Sequence, residues 1–463
     1  MSASKKIRDP IHGFIEVEGR ELDLLDTLVF QRLRRVSQLA LARLVYPGAL
    51  HTRFDHTLGV LTVAGRLCAA LGVERPKTDL IRFGALLHDL GHGPFSHVSE
   101  SVLSALAPPD LTNAVGKKEK IHELITRQII LRHPDLNAAL SGKDREEVAQ
   151  LLDTGLEDRL HRDILSGPLD ADKQDYLLRD SYFCGVQYGV FDLPQLHKSL
   201  CIGKDRDERV LMVAANGVHA LEQFVLAKYY LTAQVYRHKV RLITDSMIVR
   251  ALLLGVEHDR LPFLEALYRY RDDWNYIENY LAWDDQRLSV ELLKPEFQDT
   301  QAGVLFRRLI SRRLFKRVIE LKTRDLEPGV AAGLTQQFAQ IRSEMEAAVA
   351  EQLASLQGAP VDPRHVILHL YKIDSVRSQS RNDETAILVQ KPHGPVSFED
   401  ESALFRSINE GLRDEYLECY APLVPADEKA KARIKAKLEE HFRDMLRKKL
   451  NHQNATPQQP AQP

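Results

Sequence analysis

The residues that decide the fold are LLHDLGHGPFSH at positions 86–97, preceded by the amphipathic run LIRFGA at positions 80–85. The apolar residues of this run recur at helical spacing, so His88 and Asp89 stand at the end of a buried helix. Neighbouring side chains point about 100° apart around an α-helix, and this imidazole and carboxylate can therefore face one ion beside the helix. A buried Asp89 without a cation would be a costly unpaired charge. The stretch predicts a metal site carried by a helical scaffold.

Two side chains rarely hold an ion, so further ligands must come from other parts of the chain. One imidazole opens an amphipathic helix in TRFDHTLGV, and one carboxylate opens another in LDADKQDYLLRD. The predicted ligand set is His56, His88, Asp89 and Asp172. Two nitrogens and two oxygens leave positions for water and substrate, and they suit manganese, iron, nickel or zinc. Magnesium is an alternative that is less comfortable with two imidazoles.

The bulk composition describes a globular chain without a strongly charged surface. It has 463 residues, 44% of them hydrophobic, which is enough for a large core. Its 63 Lys and Arg residues nearly balance its 65 Asp and Glu residues, which disfavours a nucleic-acid partner. The four cysteines are scattered without a CxxC pair, and no apolar window approaches the ~20 residues of a membrane helix. We expect a cytoplasmic protein without a membrane partner.

The pattern along the chain is helical for most of its length. From about Leu22 to Leu321 apolar residues recur at spacings of three and four, and strand patterns are almost absent. The texture changes at GAPVDPRH, after which HVILHLYKI and TAILVQK have the character of strands. We predict a mainly α fold, with a helical core at residues 1–330, a smaller α+β lobe with long helices at 331–450, and a disordered tail at 451–463.

Six motifs follow one another in an order known from one family: DPIHGFIEV, FQRLRRVSQL, YPGALHTRFDHTLGV, HDLGHGPFSH, LDADKQDYLLRD and VYRHKV. The order His, then His-Asp, then Asp resembles the HD superfamily of metal-dependent phosphohydrolases. The whole set is similar to the HD-domain deoxynucleoside triphosphate triphosphohydrolases, and the resemblance covers most of the chain. It implies an HD-domain helical core, one divalent ion, and hydrolysis of a dNTP to a deoxynucleoside and tripolyphosphate. No SAM-like segment precedes the motifs, so we expect the shorter bacterial form rather than the vertebrate one.

A group of histidines supplies candidates for proton transfer. Attack at the α-phosphorus expels the 5′-oxygen, which must be protonated, and an imidazole is the natural acid near neutral pH. His92 and His97 lie in the metal motif, and His122 in KIHELI matches a further active-site histidine of the family. Which of the three donates the proton is open. The family has an aspartate where this chain has Glu100, and we expect this carboxylate to orient an imidazole.

The resemblance and the basic residues of the motifs together predict a nucleotide pocket. Its residues are Gln38, Leu39, Arg53, Lys173, Tyr176, Asp180, Tyr236 and Lys239. The three basic residues would contact the triphosphate. By resemblance, Gln38, Leu39, Asp180 and Tyr236 surround the sugar. The Tyr236 ring would fill the space of a ribose 2′-hydroxyl, which implies selectivity for deoxynucleotides.

A separate group resembles the family's guanine-recognising activator site, which lies between subunits. Its residues are Lys5, Asp26, Gln31, Arg34, Arg312 and Lys316. A carboxylate accepts the N1 and N2 hydrogens of guanine, and an arginine donates to O6 and N7. The resemblance implies activation by GTP or dGTP and assembly into a homotetramer or a dimer.

Two other classes of function stay open at the level of sequence. The metal ligands alone would also serve an HD-type nucleotide monophosphatase or phosphodiesterase, because any phosphoester can be hydrolysed at such an ion. A scaffold that binds nucleotides or single-stranded nucleic acid would use the fold without turnover. The complete ligand set argues against such a scaffold.

Overall fold

The computed structural model describes residues 4–108, 120–153, 159–374, 386–409 and 413–451. The chain divides into two compact units. The first consists of residues 1–241, 251–307 and 376–410, and the second of residues 242–250, 308–375 and 411–463.

Helices dominate the described part of the chain, and the prediction of a mainly α fold with a smaller α+β region is confirmed. The α-helices are α1 Arg20–Leu25, α2 Leu28–Gln31, α3 Arg53–Leu71, α4 Arg75–Leu87, α5 His97–Leu106, α6 Ile121–Arg132, α7 Gly142–Leu151, α8 Arg159–Ser166, α9 Ala171–Cys184, α10 Leu193–Ser199, α11 Val218–Leu231, α12 Lys239–Glu257, α13 Pro262–Tyr268, α14 Trp274–Leu281, α15 Asp285–Leu292, α16 Gln301–Ile310, α17 Pro328–Gln357, α18 Phe398–Glu401, α19 Ala403–Asn409 and α20 Glu428–Asn451.

The strands form three small sheets. They are β1 Ser4–Asp9, β2 Gly13–Glu18, β3 Leu200–Asp205, β4 Glu208–Ala214, β5 Lys316–Lys322, β6 Ile367–Asp374, β7 Leu388–Lys391, β8 Gly394–Ser397 and β9 Arg413–Ala421. In the first unit, β1 pairs with β2 in an antiparallel hairpin, and a four-stranded sheet has the order β3-β4-β7-β8. In the second unit, β9 lies between β5 and β6 and is antiparallel to both.

The expectation that strands are almost absent between Leu22 and Leu321 is wrong for two segments. The hairpin of β3 and β4 and the strand β5 fall within that range. The apolar run of β4, residues 210–213, is fully buried, and such a short run cannot be told from a buried helix by periodicity. Arg206 and Asp207 make the hairpin turn with positive φ of 49° and 69°. Without a glycine at these positions, the sequence does not predict this conformation.

The core helix of the first unit is α3, which is buried along most of its length. It begins at a capping box, in which the Asp55 carboxylate accepts a hydrogen bond from the backbone N–H of Thr52 at 2.7 Å. It ends at Gly72, whose φ of 64° is left-handed and suits glycine. The cap fixes the first turn of α3, where His56 lies.

The second unit has its own core between its three-stranded sheet and two long helices. Side chains of α17, α20 and the strands form one buried cluster that includes Val318, Leu334, Ile341, Leu417 and Phe442. The strand predicted in HVILHLYKI is β6, and the long helices predicted for residues 331–450 are α17 and α20.

The segment TAILVQK also contains a strand, β7, but this strand pairs with β4 in the first unit. The domain boundaries at residues 330 and 450 stay predictions. Most of the predicted tail, residues 452–463, lies outside the described residues. Within the described ranges, no helix combines the length and the apolar character needed to cross a membrane.

Candidate active site

Three helices of the first unit bring the core of the predicted metal site together. His56 lies in the first turn of α3, His88 follows the last residue of α4, and Asp172 lies in the first turn of α9. Their candidate ligand atoms all lie within 4.8 Å of one another. The Asp172 Oδ1 atom is 2.9 Å from His56 Nε2 and 4.0 Å from His88 Nε2. Among the residues that the structure describes, this is the one group of its kind.

Asp89, the fourth predicted ligand, lies at the edge of this cluster. Its Oδ1 atom is 3.3 Å from His88 Nε2, and its Oδ2 atom is 3.9 Å from His56 Nε2. The same Oδ2 atom accepts a hydrogen bond of 2.8 Å from Arg53 Nη1. The structure therefore pairs a predicted metal ligand with a predicted phosphate contact, and each neutralises the buried charge of the other.

The two imidazoles are oriented so that their Nε2 atoms face the cluster. His56 Nδ1 donates to Asp175 Oδ2 at 2.8 Å, and His88 Nδ1 donates to the carbonyl oxygen of Ala85 at 2.8 Å. Hydrogen bonds of this kind fix the tautomer of a metal-binding histidine. His88 Nε2 is buried and has no hydrogen-bond partner in the described part of the chain. A cation would satisfy that atom, so the residues fit a divalent ion.

The electrostatics of the cluster also favour positive charge. Burial lowers the pKa of His56, but hydrogen bonds to Asp172 and Asp175 outweigh burial and raise that pKa to about 10. Two carboxylates around one imidazole therefore attract a cation, which can be a proton or a metal ion.

The three predicted catalytic histidines lie close together. The rings of His92 and His122 stack with centroids 4.0 Å apart, and the ring of His97 is 5.3 Å from that of His92. His92 Nε2 is 3.3 Å from Asp89 Oδ1, which joins this group to the metal cluster. Burial lowers the pKa of His92 well below its usual range. The His97 side chain is the exposed member of the group.

Glu100 orients one of these rings, and the ring is that of His122. Its Oε2 atom accepts hydrogen bonds from His122 Nδ1 at 2.8 Å and from the backbone N–H of His122 at 3.1 Å. Its Oε1 atom accepts from the backbone N–H of Ile121 at 3.1 Å. Burial raises the pKa of Glu100, but these hydrogen bonds and the His122 ring outweigh burial and lower the pKa to about 2.

The turn after α4 depends on close backbone packing. A Cβ atom on Gly91 would overlap the carbonyl oxygen of His122, and one on Gly93 would overlap the hydroxyl of Tyr280. Phe95 and Ser96 have positive φ of 62° and 55°, a strained conformation for residues with side chains. The glycines bring the turn against α6, so that His92 and His122 can stack.

The predicted phosphate contacts have different environments. Arg53 is buried, donates to Ser96 Oγ at 2.9 Å and lies 3.5 Å from His97 Nε2. Lys173 donates to Asp170 Oδ2 at 2.5 Å and to the carbonyl oxygen of Gly167 at 3.0 Å. Lys239 is exposed and begins α12.

Sequence reasoning missed Arg241, a buried arginine whose guanidinium carbon is 5.0 Å from the centroid of the Tyr236 ring. Its position directly after the motif VYRHKV, two residues beyond Lys239, could have suggested it as a site residue.

The predicted sugar-binding residues form a hydrogen-bonded group. The Tyr236 hydroxyl donates to Asp180 Oδ2 at 2.5 Å, and the Tyr236 ring is 6.2 Å from that of Tyr176. Tyr236 ends a π-helical turn, Thr232–Tyr236, which sequence patterns do not reveal.

His51 contacts the predicted sugar-binding residues, and sequence reasoning missed it. His51 Nε2 donates to Asp180 Oδ1 at 2.7 Å, and its ring stacks on that of Phe183 with centroids 4.7 Å apart. The backbone N–H of Gln38 donates to the carbonyl oxygen of His51 at 3.2 Å, which brings buried Gln38 and Leu39 to this group. A histidine five residues before His56 was the available signal.

The predicted activator residues are partly in contact. Arg34 Nε donates to Gln31 Oε1 at 2.7 Å, and its guanidinium lies 3.5 Å from the centroid of the Phe54 ring. Asp26 is exposed at the end of α1, and Lys5 is exposed on β1. The other two, Arg312 and Lys316, belong to the second unit and are exposed beside the start of β5.

Comparison with known proteins identifies the family. The HD associated region matches residues 198–443, and the HD domain matches residues 53–177, from the start of α3 into α9. The chain belongs to the HD-domain phosphohydrolase family. The matched HD domain contains all of the predicted metal ligands.

Relatives include proteins with and without a known activity. The chain is 32% identical to the uncharacterized protein MJ1154 of Methanocaldococcus jannaschii over 70% of its own length and 61% of that protein. It is 32% identical to the uncharacterized protein YwfO of Bacillus subtilis, over 69% and 72% of the two chains. It is 30% identical to the human deoxynucleoside triphosphate triphosphohydrolase SAMHD1, over 70% and 57%. The match thus spans less than two thirds of MJ1154 and of SAMHD1.

Solved structures share the fold. A hypothetical protein of Aquifex aeolicus has a TM-score of 0.69 at 27% identity, over 94% of this chain and 100% of that one. A phosphohydrolase of Bacteroides thetaiotaomicron has a TM-score of 0.70 at 23% identity, over 90% and 100%.

Proposed function

We propose that this protein hydrolyses deoxynucleoside triphosphates to a deoxynucleoside and tripolyphosphate, with one divalent ion at its HD motif. The observation that carries the proposal is the arrangement of α9. Asp172 at the start of this helix joins the metal cluster, and Asp180, two turns later, holds Tyr236. One helix therefore presents a metal-binding end and a sugar-binding end about 12 Å apart along its axis. The 30% identity to human SAMHD1, whose name states this reaction, supports the same conclusion.

The ion would be held by His56, His88 and Asp172, with Asp89 beside them. When bound, a divalent ion polarises phosphate oxygens and lowers the pKa of water toward neutrality. The nitrogen and oxygen ligands favour manganese, iron, nickel or zinc, with magnesium as the weaker alternative.

His122 would donate the proton to the leaving 5′-oxygen, because Glu100 orients its ring. Glu100 stays ionised at neutral pH, with a pKa of about 2, and lies 2.8 Å from His122 Nδ1. A carboxylate at that distance stabilises positive charge on the ring and leaves the Nε2–H free to be given away. Burial lowers the pKa of His92 well below its usual range, which favours the neutral ring, so we do not assign His92 as the proton donor. His97, exposed beside Arg53, would contact a phosphate oxygen.

The residues around Tyr236 would select deoxynucleotides over ribonucleotides. The hydrogen bond from Tyr236 to Asp180 fixes the tyrosine ring, and His51 fixes the other oxygen of the same carboxylate. A ring held in this way excludes a ribose 2′-hydroxyl by overlap. Lys173, Lys239 and Arg241 add positive charge for the triphosphate.

The experiment that tests the proposal is a panel of the four dNTPs with Mn²⁺, Fe²⁺, Ni²⁺, Zn²⁺ or Mg²⁺, with the inorganic product identified. Tripolyphosphate and a deoxynucleoside support the proposal. Orthophosphate or a nucleoside monophosphate would indicate the monophosphatase or phosphodiesterase alternative. Metal-independent binding without turnover would indicate a scaffold for nucleotides or single-stranded nucleic acid. His56→Ala serves as the inactive control.

We also propose that GTP or dGTP activates the enzyme and that it works as a homotetramer or dimer in the cytoplasm. The contact of Gln31 with Arg34 supports a base-recognising surface, and the four cysteines are all free, as a reducing compartment requires. Activation predicts a higher rate and a larger species in analytical ultracentrifugation when GTP is added. Rates and mass that do not respond to GTP or dGTP would contradict this part of the proposal.

A further inference from the structure

Asp175 is a fully buried carboxylate next to the metal cluster that the reaction described above does not use. Its Oδ2 atom accepts from His56 Nδ1 at 2.8 Å and from Arg179 Nε at 2.8 Å. Its Oδ1 atom accepts from His12 Nε2 at 2.6 Å and from Arg179 Nη2 at 3.0 Å. Both oxygens are engaged by donors, so this carboxylate supports a ligand and is not itself one.

Two of the three donors to Asp175, His12 and Arg179, are fixed by the N-terminal hairpin. Arg179 Nη1 donates to Asp9 Oδ2 at 2.8 Å, and Asp9 Oδ1 accepts from the backbone N–H of Ile11 and of His12. The turn between β1 and β2 thereby places the His12 ring. Arg66 Nη1 lies 3.4 Å from His12 Nδ1. Because arginine only donates, His12 carries its hydrogen on Nε2 and directs it at Asp175.

The helix that carries His56 is shaped to admit this carboxylate. A Cβ atom on Gly59 of α3 would overlap Asp175 Oδ1 and Arg179 Nη2. Glycine at this position lets α9 approach α3 closely enough for Asp175 to reach the His56 ring one turn away.

We propose that Asp175 is the positioning residue of the metal site and that the Asp9–Gly13 turn holds it in place through His12 and Arg179. The inference rests on the proposed metal site at His56. Asp175 keeps the hydrogen of His56 on Nδ1, so the Nε2 lone pair faces the ion, and its negative charge makes that nitrogen a better donor. A segment more than forty residues before the first ligand is therefore part of the metal site.

The test is Mn²⁺ affinity of the full chain, measured by electron paramagnetic resonance without substrate. Asp175→Asn keeps the size of the side chain but replaces one acceptor with a donor, so we expect affinity to fall roughly 10- to 100-fold. His12→Leu removes only the outer donor and should have a smaller effect in the same direction. His12→Gln places an N–H near the position of Nε2 and should restore affinity. Circular dichroism confirms that each variant is folded.

Matched controls lie on the surface. Asp79→Asn changes a partly exposed carboxylate that pairs with exposed Arg75 near the start of α4, and His219→Gln changes a histidine whose side chain is 91% exposed. Both should bind Mn²⁺ like the wild type.

The possible results distinguish the metal site itself from the positioning role of Asp175. A wild type that binds no divalent ion would overturn the proposed metal site and this inference together. A wild type that binds Mn²⁺, with folded Asp175→Asn binding equally tightly, would overturn only the positioning role. Equal affinity of His12→Leu and wild type would overturn the part assigned to the turn. If Asp175→Asn does not fold, the Mn²⁺ affinities of His12→Leu and His12→Gln test the positioning role in its place.

Discussion

Replacing Glu100 with glutamine tests the proton-transfer part of the mechanism. The carboxylate is 13% exposed, and the His122 hydrogen bonds hold its pKa at about 2. Glutamine has one acceptor oxygen where Glu100 uses two, so either His122 or Ile121 loses a partner. An amide also cannot stabilise positive charge on the His122 ring.

The magnitude follows from the pKa of Glu100. Lowering a pKa from 4.5 to about 2 corresponds to about 3 kcal/mol of preference for the ionised carboxylate. Part of that comes from backbone N–H groups, so the share of the His122 ring is smaller. We expect Glu100→Gln to lower kcat by up to roughly 100-fold with little change in KM, because the interaction is strongest in the transition state.

The assay is steady-state hydrolysis of a dNTP at saturating Mn²⁺. Glu123→Gln is the matched control, because this glutamate caps the same helix from an exposed position. Glu100→Asp keeps the charge and should retain more activity than the glutamine variant. A folded Glu100→Gln enzyme with the kcat of the wild type would refute the role of Glu100 and His122.

The same residue predicts a pH dependence of stability. The pKa of Glu100 is depressed in the folded state, so its stabilisation is complete above about pH 5 and is lost as the pH falls toward 2. The free energy of unfolding of the wild type, measured in urea, should therefore fall by up to about 3 kcal/mol relative to that of Glu100→Gln over that range. Parallel stability curves for the two proteins would contradict the depressed pKa.

Two further predictions concern other parts of the first unit. Tyr236→Ala should raise kcat/KM for ribonucleotides relative to deoxynucleotides by roughly 10- to 100-fold. Tyr236→Phe keeps the ring but loses the hydrogen bond that fixes it, so its selectivity should lie between those of the wild type and the alanine variant. Unchanged selectivity of the alanine variant would argue against exclusion by Tyr236. Burial raises the pKa of Asp163 to about 6, so its ionisation destabilises the fold as pH rises from about 4 to 6. Asp163→Asn should increase the free energy of unfolding by about 1–3 kcal/mol at pH 7 and by nothing near pH 3; a loss of stability at pH 7 would contradict the raised pKa.

Short motifs were enough to predict three side chains that the structure brings together. His56, His88 and Asp172 each stand at a helix end, and helix ends are marked in sequence by capping residues and by a change in apolar spacing. The order of the motifs then identified one family, and the family's helical core brings the three ends together.

What surrounds the ligands could not be predicted, because it depends on contacts between distant segments. His12 and Asp175 are 163 positions apart, and no local pattern links a turn between two short strands to a helix of the HD domain. Similarly, sequence placed Glu100 near an imidazole, but only the fold shows that the ring is that of His122. The motifs predict that Arg53 contacts phosphate and that Asp89 binds metal, and the structure pairs the two side chains. The β3–β4 hairpin was not predicted because the apolar run of β4 does not alternate with polar residues.

The metal site can be tested directly by an anomalous difference map from crystals soaked in Mn²⁺. We expect a single strong peak between His56 Nε2, His88 Nε2 and Asp172 Oδ1, with Asp89 close enough to show whether it is a fourth ligand. A map without a peak there, or with manganese bound only at other residues, would show that these side chains do not hold the catalytic ion.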